Sequence, residues 1–211
     1  METLVIISLI IGAYLLGSIP SSVWIGKAFY NIDVREFGSG NAGATNTFRV
    51  LGKRAGIPVL IIDILKGSAA VLLALLSGFE INGTDYVNLQ LGLGLAALLG
   101  HIFPIFAGFR GGKGVATILG IVMFITPVSC SVALVVFLVV LFASRYVSLS
   151  SMLGGISYPI VLGVFMHNQD VTLTVFSIVV AILLVVTHKK NIVRLYKKQE
   201  SRISFYNKVS E

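Results

Sequence analysis

An uncharged stretch from Val115 to Ala143 constrains the fold of this chain more than any other feature. As one helix rising about 1.5 Å per residue it would extend about 43 Å. The hydrocarbon core of a membrane is only roughly 30 Å thick. The pair Thr126-Pro127 offers a break, because proline interrupts a helix. The stretch therefore predicts two short membrane spans joined by a tight outside turn.

The chain as a whole is also strongly apolar. Hydrophobic residues make up 56% of the sequence and charged residues 12%, with a mean hydropathy of +0.94. These values lie outside the range of soluble domains. We predict an all-α, polytopic integral membrane bundle of about seven transmembrane helices in one domain, 1–211. The predicted spans are 4–25, 56–77, 89–106, 115–126, 128–143, 152–166 and 171–187.

The charges of the connecting segments predict the orientation. Glu2 is the charge on the N-terminal side of the first span, whereas basic residues follow that span: Lys27, Arg35, Arg49, Lys53 and Arg54. Because basic segments stay in the cytoplasm, the N-terminus is expected outside and the basic C-terminal tail inside. The same order argues against a secretory signal peptide. The net charge of +7 is attributed to contact with anionic lipid headgroups, and no nucleic acid binding is expected.

The segment Arg35–Asn46, REFGSGNAGATN, is polar and rich in glycine. Glycines allow positive φ angles, so that successive N–H groups can turn towards one anion. We call this segment the first glycine loop and interpret it as an anion-binding loop rather than a connector. Its candidate binding residues are Gly38, Ser39, Gly40, Asn41, Gly43, Thr45 and Asn46.

A second glycine loop, Phe109–Thr117, has the sequence FRGGKGVAT. Gly111, Gly112 and Gly114 surround Lys113, and Thr117 opens the next helix. Glycine amides, a lysine and a helix N-terminus are the parts from which proteins build phosphate sites. The full Walker pattern is absent, so the loop does not predict a nucleotide triphosphatase.

Four titratable residues lie within predicted spans. Asp63 and Lys66 share one face of the second span and form either a self-neutralised structural pair or a support of the site. His101, near the end of the third span, is interpreted as a helix-packing histidine. Cys130 is interpreted as a small core residue.

Two further polar segments are predicted on the cytoplasmic side. Arg145–Ser151, RYVSLSS, offers Ser148 and Ser150, although serines at this position also cap helices. An outside turn is expected at His167–Asp170. In the tail, spacings of three place His188, Asn191 and Arg194 on one face if the last helix continues.

Together these polar elements lie on one face of the membrane under the predicted topology. They supply basic, hydroxyl and amide groups without a carboxylate constellation, so metal hydrolysis and carboxylate-pair chemistry are not expected. They indicate a site for phosphorylated substrates beside a hydrophobic interior. The rivals are a transporter of an organic phosphate, built from broken helices, and a structural scaffold.

The runs GSIPSSVWIGK, REFGSGNAGATN, GHIFPIFAGFRGGKGVAT, RYVSLSS and HKKNIVRL resemble, in this order, the signature segments of the PlsY family of bacterial membrane acyltransferases. The resemblance implies transfer of a fatty acyl group from acyl phosphate to the 1-hydroxyl of glycerol 3-phosphate. The products are then lysophosphatidic acid and inorganic phosphate. It further implies no cofactor, a monomer, and a multi-pass location in the inner (plasma) membrane of a bacterium with the active site facing the cytoplasm.

By the same resemblance, phosphate is held and the acceptor hydroxyl oriented by Gly38, Ser39, Gly40, Asn41, Gly43 and Arg49. A phosphate cradle is formed by Gly111, Gly112, Lys113 and Gly114. Ser148 and Ser150 match a third motif, and His188 and Asn191 match a C-terminal pattern near glycerol 3-phosphate. The candidate catalytic residues are Ser39, Lys113, His188 and Asn191. The general base stays open between His188 and a phosphate oxygen of the donor.

Overall fold

A computed structural model of the protein describes residues 2–165 and 170–203. Every regular element in this part of the chain is helical, which confirms the all-α prediction. The chain divides into two compact units, Met1–Pro127 and Val128–Glu211. The expectation of a single domain stays a prediction.

The first unit contains six α-helices in its described part. They are α1 (Glu2–Gly17), α2 (Ser21–Tyr30), α3 (Ala44–Leu51), α4 (Lys53–Leu72), α5 (Thr84–Ile102) and α6 (Val115–Ile125). Short 3-10 turns at Val34–Glu36, Leu73–Leu76 and Ile105–Ala107 lie between them. The two glycine loops follow α2 and α5.

The first predicted span, 4–25, is broken. Helices α1 and α2 meet at an angle of 42°, and the break contains Pro20, whose ring removes a backbone donor and interrupts the helix. Beyond the break, α2 continues to Tyr30. The break therefore lies at Pro20, and the helical segment ends later than the predicted span.

Close helix packing in the first unit depends on glycine. A Cβ added at Gly17 in α1 would collide with the Ala97 carbonyl of α5, and one added at Gly67 in α4 would collide with the Thr117 carbonyl of α6. Small residues let membrane helices approach each other at backbone distance. This packing places the end of α5 and the start of α6 beside α4. The second glycine loop, which connects these two helices, therefore also lies beside α4.

The second unit contains α7 (Pro127–Ser144), α8 (Val147–Ile160), α9 (Val171–Thr187) and α10 (Lys189–Tyr196), with a π-helical turn at Val161–Phe165. Pro159 near the end of α8 removes a helix hydrogen bond, and the π-helical turn follows it. A Cβ at Gly154 would lie 3.1 Å from the Ala133 carbonyl of α7, and one at Gly155 would collide with Leu184 of α9. Helix α8 therefore packs between α7 and α9.

Among the described residues, four helical segments are long and apolar enough to cross a membrane by themselves: Lys53–Leu76, Thr84–Ala107, Pro127–Ser144 and Val147–Val164. The bent pairs α1–α2 and α9–α10 raise the number to as many as six. The predicted span 115–126 corresponds to α6, whose 11 residues reach only about 16 Å at 1.5 Å per residue. The predicted break at Thr126-Pro127 is present. Because α6 is too short to be counted as a span, the number of spans is up to six instead of the predicted seven or so.

Most of the predicted turn His167–Asp170 and the end of the span 152–166 lie outside the described residues. The span 171–187 matches α9. The orientation of the two termini stays a prediction.

Candidate active site

Arg35 joins the two glycine loops of the first unit. Its Nε and Nη2 atoms donate to the two carboxylate oxygens of Asp33 at 2.9 and 2.7 Å. Its Nη1 atom donates to the carbonyls of Ala107 at 2.7 Å and Arg110 at 3.3 Å. A guanidinium is suited to this because its donors lie in a rigid planar fork. Arg35 therefore ties the start of the first loop to the start of the second.

The bidentate bond to Arg35 lowers the pKa of Asp33 to about 2 and raises that of Arg35. The carboxylate also accepts the backbone N–H of Arg35 at 3.0 Å and caps the short turn Val34–Glu36. Both side chains are largely buried. The pair thus stays charged and structured at neutral pH.

Asn46 holds the first glycine loop in shape. The side chain is buried, and its Nδ2 atom donates to the carbonyls of Val34 at 2.8 Å and Phe37 at 3.1 Å. Its Oδ1 atom accepts from Ser39 N at 2.8 Å and Ser39 Oγ at 3.1 Å. Two donors and two acceptor positions are all that an amide offers. A direct contact of Asn46 with substrate would have to replace one of these bonds.

Two glycines of this loop have the positive φ angles that the sequence predicts. Gly38 has φ +61° and Gly40 has φ +72°. A Cβ at Gly38 would also collide with Asn46 Oδ1. Gly43, in contrast, is extended and precedes α3.

The remaining candidates of the first loop lie near its end. Asn41 is half-buried, whereas Thr45 and Arg49 are exposed. Thr45 and Arg49 are four residues apart on α3 and share a face of that helix. A hydroxyl and a guanidinium are therefore presented together on the surface of the first unit.

Two backbone amides of the second glycine loop, which the sequence predicts to bind phosphate, form hydrogen bonds within the protein. Gly111 N–H donates to the Ile102 carbonyl at 3.2 Å, and Gly112 N–H donates to the His101 carbonyl at 3.1 Å. These bonds satisfy carbonyls at the end of α5, which lack partners within the helix. Both glycines let the backbone of the loop pass close to His101, because a Cβ at either position would collide with that residue. Lys113 is half-buried, and Gly114, with φ +85°, is the N-cap residue that precedes α6.

Beneath this loop lies a group that we call the buried polar cluster, formed by Ser21, Asp63, Lys66, His101 and Thr117. Asp63 Oδ1 accepts from Ser21 Oγ at 2.8 Å and pairs with Lys66 Nζ at 3.0 Å. Lys66 Nζ also donates to the Ile19 carbonyl at 2.9 Å in the break between α1 and α2. The predicted pair of Asp63 and Lys66 is present and reaches other helices.

His101 belongs to the same cluster. Its Nδ1 atom lies 3.1 Å from Thr117 Oγ1 and 3.8 Å from Asp63 Oδ1. A cavity of about 10 Å³, near the volume that one water needs, is lined by cluster residues and by Ala42, Gly111 and Gly112 of the loops. Sequence reasoning treated His101 as packing and Thr117 as the start of a helix, and did not predict that the two side chains meet. The usable signal was the position of His101 directly before a glycine loop.

A separate polar cluster lies in the second unit around Glu200. Its Oε1 atom accepts from Ser148 Oγ at 2.8 Å and from Asn191 Nδ2 at 2.6 Å. Arg194 Nε lies 3.5 Å from Glu200 Oε2. The structure thus brings together Ser148 and Asn191, two predicted site residues, through a carboxylate that sequence reasoning overlooked within the basic tail.

The other two candidates of the second unit have different partners. His188 is buried, and its Nδ1 atom donates to the Leu184 carbonyl at 2.7 Å. In a neutral ring this bond makes Nε2 the acceptor nitrogen. Ser150 Oγ donates to the Tyr146 carbonyl at 2.8 Å within the first turn of α8. Ser150 therefore lies within α8 and does not cap it, because Tyr146 holds the N-cap position and no side chain makes a capping bond there. The capping alternative is wrong for Ser150.

The tail beyond α10 returns to the start of α8. Ile203 N–H donates to the Arg145 carbonyl at 2.9 Å, and the Arg202 guanidinium lies 5.0 Å from the centre of the Tyr146 ring. Across residues 2–165 and 170–203, no three histidine, cysteine or acidic side chains are grouped as a metal site.

Comparison with known proteins extends this description. A family model described as glycerol-3-phosphate acyltransferase matches residues 7–198. A protein of Listeria monocytogenes named glycerol-3-phosphate acyltransferase is 48% identical over 202 residues, which cover 96% of this chain and 98% of that protein.

Two solved structures share the fold. The crystal structure of PlsY (YgiH), an integral membrane glycerol 3-phosphate acyltransferase, in its glycerol 3-phosphate form is 40% identical with a TM-score of 0.85, over 94% of this chain and 96% of that one. The lysophosphatidic acid form is 39% identical with a TM-score of 0.81, over 94% and 95%. This chain therefore belongs to the glycerol-3-phosphate acyltransferase family of integral membrane proteins.

Proposed function

We propose that this protein transfers an acyl group to the 1-hydroxyl of glycerol 3-phosphate and forms lysophosphatidic acid. The observation that carries the proposal is the likeness, over 94% of the chain, to a solved enzyme in its glycerol 3-phosphate form. The curated relative of the same name supports it at 48% identity. Arg35 joins the two glycine loops to which the proposal assigns phosphate binding.

The proposed acyl donor is acyl phosphate, with inorganic phosphate as the second product. Such a donor is already activated, so the protein mainly has to hold two phosphorylated molecules in position and stabilise the developing oxyanion. The cations and hydroxyls of the first unit suit this task. Ser39, Arg49 and Lys113 are proposed to bind phosphate, with Asn41, Thr45 and the backbone of Gly38, Gly40, Gly43 and Gly114 around them.

Gly111, Gly112 and Asn46 receive a different role in the same proposal. Their polar groups already bond within the protein, so they shape the loops that carry Ser39 and Lys113. The Ser39 hydroxyl also donates to Asn46, at 3.1 Å, and would exchange this bond for one to phosphate. Substitution of Gly111, Gly112 or Asn46 is expected to weaken substrate binding by displacing these loops.

For the second unit, the family resemblance supports Ser148, His188 and Asn191 as substrate contacts. The Nδ1–H bond to Leu184 leaves Nε2 as the basic nitrogen of a neutral His188 ring. His188 is thus a candidate for accepting the hydroxyl proton, and a phosphate oxygen of the donor is the other candidate. If His188→Ala keeps the turnover number while Lys113→Ala abolishes it, the donor oxygen is the base.

The proposal extends to location. We place the enzyme in the inner (plasma) membrane of a bacterium, with the N-terminus outside, the C-terminus in the cytoplasm and the active site facing the cytoplasm, because basic residues follow the first span. It is proposed to act as a monomer and without a cofactor.

The first experiment measures phosphate release by the purified protein in detergent from palmitoyl phosphate, with and without glycerol 3-phosphate. Release that requires both substrates and equals the lysophosphatidic acid formed is the expected result. Phosphate release without glycerol 3-phosphate would indicate a hydrolase. No release, combined with uptake of glycerol 3-phosphate into proteoliposomes, would indicate the transporter alternative.

A further inference from the structure

We infer that His101 is a positioning residue for Lys113, and that the buried polar cluster holds the imidazole for this purpose. The inference rests on the proposed function, in which Lys113 binds phosphate. It concerns residues of the first unit alone.

The first step is that His101 touches both ends of the segment that carries Lys113. At one end, Gly112 N–H donates to the His101 carbonyl at 3.1 Å, and the missing Cβ of Gly112 leaves the space next to His101 Nε2. At the other end, Thr117 Oγ1 lies 3.1 Å from His101 Nδ1. Lys113 follows Gly112 directly, so it belongs to a short segment anchored twice on the same residue.

The second step is that the imidazole itself is fixed. His101 is 5% exposed, and the Asp63 carboxylate lies 3.8 Å from its Nδ1 atom. That carboxylate is in turn held by Ser21 Oγ and Lys66 Nζ. Lys66 reaches the Ile19 carbonyl, so α2, α4 and α5 are linked beneath the loop.

The third step concerns why a charged pair is buried here. The free energy needed to remove the charges of Asp63 and Lys66 from water offsets most of their mutual attraction. A buried ion pair therefore adds little net stability. Its directional hydrogen bonds nevertheless restrict where its neighbours can lie. We therefore assign its effect to the geometry around His101 and Lys113.

The test compares Thr117→Val, which keeps the shape but removes the hydroxyl, with Thr117→Ser, which keeps the hydroxyl. Because small displacements of catalytic groups are costly, we expect Thr117→Val to lower kcat/KM by roughly ten- to a hundredfold. Thr117→Ser should retain most of the activity. His101→Asn, which keeps a polar atom near Thr117 but removes the ring beside Gly112, should also lose activity.

Ser68→Ala is the matched control. Ser68 is a buried hydroxyl of the same unit that donates to the Gly120 carbonyl at 3.1 Å and lies outside the buried polar cluster. It should leave kcat/KM unchanged even if it lowers the melting temperature. Equal activity losses in Ser68→Ala and Thr117→Val, each in proportion to the unfolded fraction, would overturn the inference.

A second measurement does not depend on turnover. A nitroxide label is attached at residue 113 in Lys113→Cys, in a Cys130→Ser background, and its mobility is measured by electron paramagnetic resonance. We expect greater mobility after Thr117→Val and unchanged mobility after Thr117→Ser or Ser68→Ala. Identical spectra in all four proteins would overturn the positioning role. If the wild-type protein forms no lysophosphatidic acid, the proposed function fails, and the spectra still decide the role of His101.

Discussion

Arg35 and Asp33 form a two-point ion pair at the start of the first glycine loop, with both carboxylate oxygens bonded at 2.7 and 2.9 Å. The same guanidinium reaches the Ala107 carbonyl. Since one side chain serves both contacts, the shape of the first loop and its attachment to the second depend on the charge of Asp33.

This dependence predicts a pH effect on stability. The pKa of Asp33 falls from 3.8 to about 2 on folding, so its stabilising contribution is complete above pH 3.8 and is lost as the pH falls towards 2. We expect the difference in melting temperature between the wild-type protein and Asp33→Asn to be constant from neutral pH down to about pH 5 and to shrink below the unfolded pKa. Thermal unfolding in detergent across this range measures it, and a difference that varies around neutral pH would contradict the assignment.

Asn46→Asp is predicted to disrupt the first glycine loop. A carboxylate cannot donate to the Val34 and Phe37 carbonyls, and leaving buried polar groups unpaired costs about 1–3 kcal/mol. The melting temperature and the affinity for glycerol 3-phosphate should both fall. Thr45→Val, at an exposed neighbouring position, is the stability control and should melt like the wild-type protein.

Gly112→Ala is predicted to displace the second glycine loop. The new methyl group would collide with His101 Nε2 and lie 2.9 Å from the Ala42 carbonyl of the first loop. We expect kcat/KM to fall by roughly tenfold or more, while circular dichroism still reports a helical protein. Gly92→Ala on α5 meets no atom within 4 Å and should retain full activity, so an equal loss in both variants would refute the explanation.

Glu200→Gln is predicted to loosen the polar cluster of the second unit. The neutral amide weakens the bonds from Ser148 and Asn191, since hydrogen bonds to a charged group contribute about 1.5–3 kcal/mol. We expect a lower melting temperature and a lower kcat, because Ser148 and Asn191 lose their common partner. Gln199→Glu, at the exposed adjacent position, is the control, and unchanged kinetics in Glu200→Gln would show that Ser148 and Asn191 are held by other contacts.

Much of the fold was predictable because its determinants are local. The length of apolar runs predicts helices that cross a membrane, and prolines predict breaks that the structure has at Pro20 and before Pro127. Glycine spacing likewise predicts the positive φ angles at Gly38 and Gly40. The pairing of Asp63 with Lys66 follows from their separation by three residues on one helix.

The tertiary structure alone decided which polar groups meet. Asn46 turns back to Val34, the amides of Gly111 and Gly112 bond to the end of α5, His101 meets Thr117, and Glu200 meets Ser148. These partners lie on different elements or on distant parts of one loop, so no helical period or motif spacing encodes their approach. The sequence by itself determined the membrane helices and the loops that can hold phosphate. Helix packing determined that some loop donors bond within the protein, because buried polar groups take the nearest partners that packing offers.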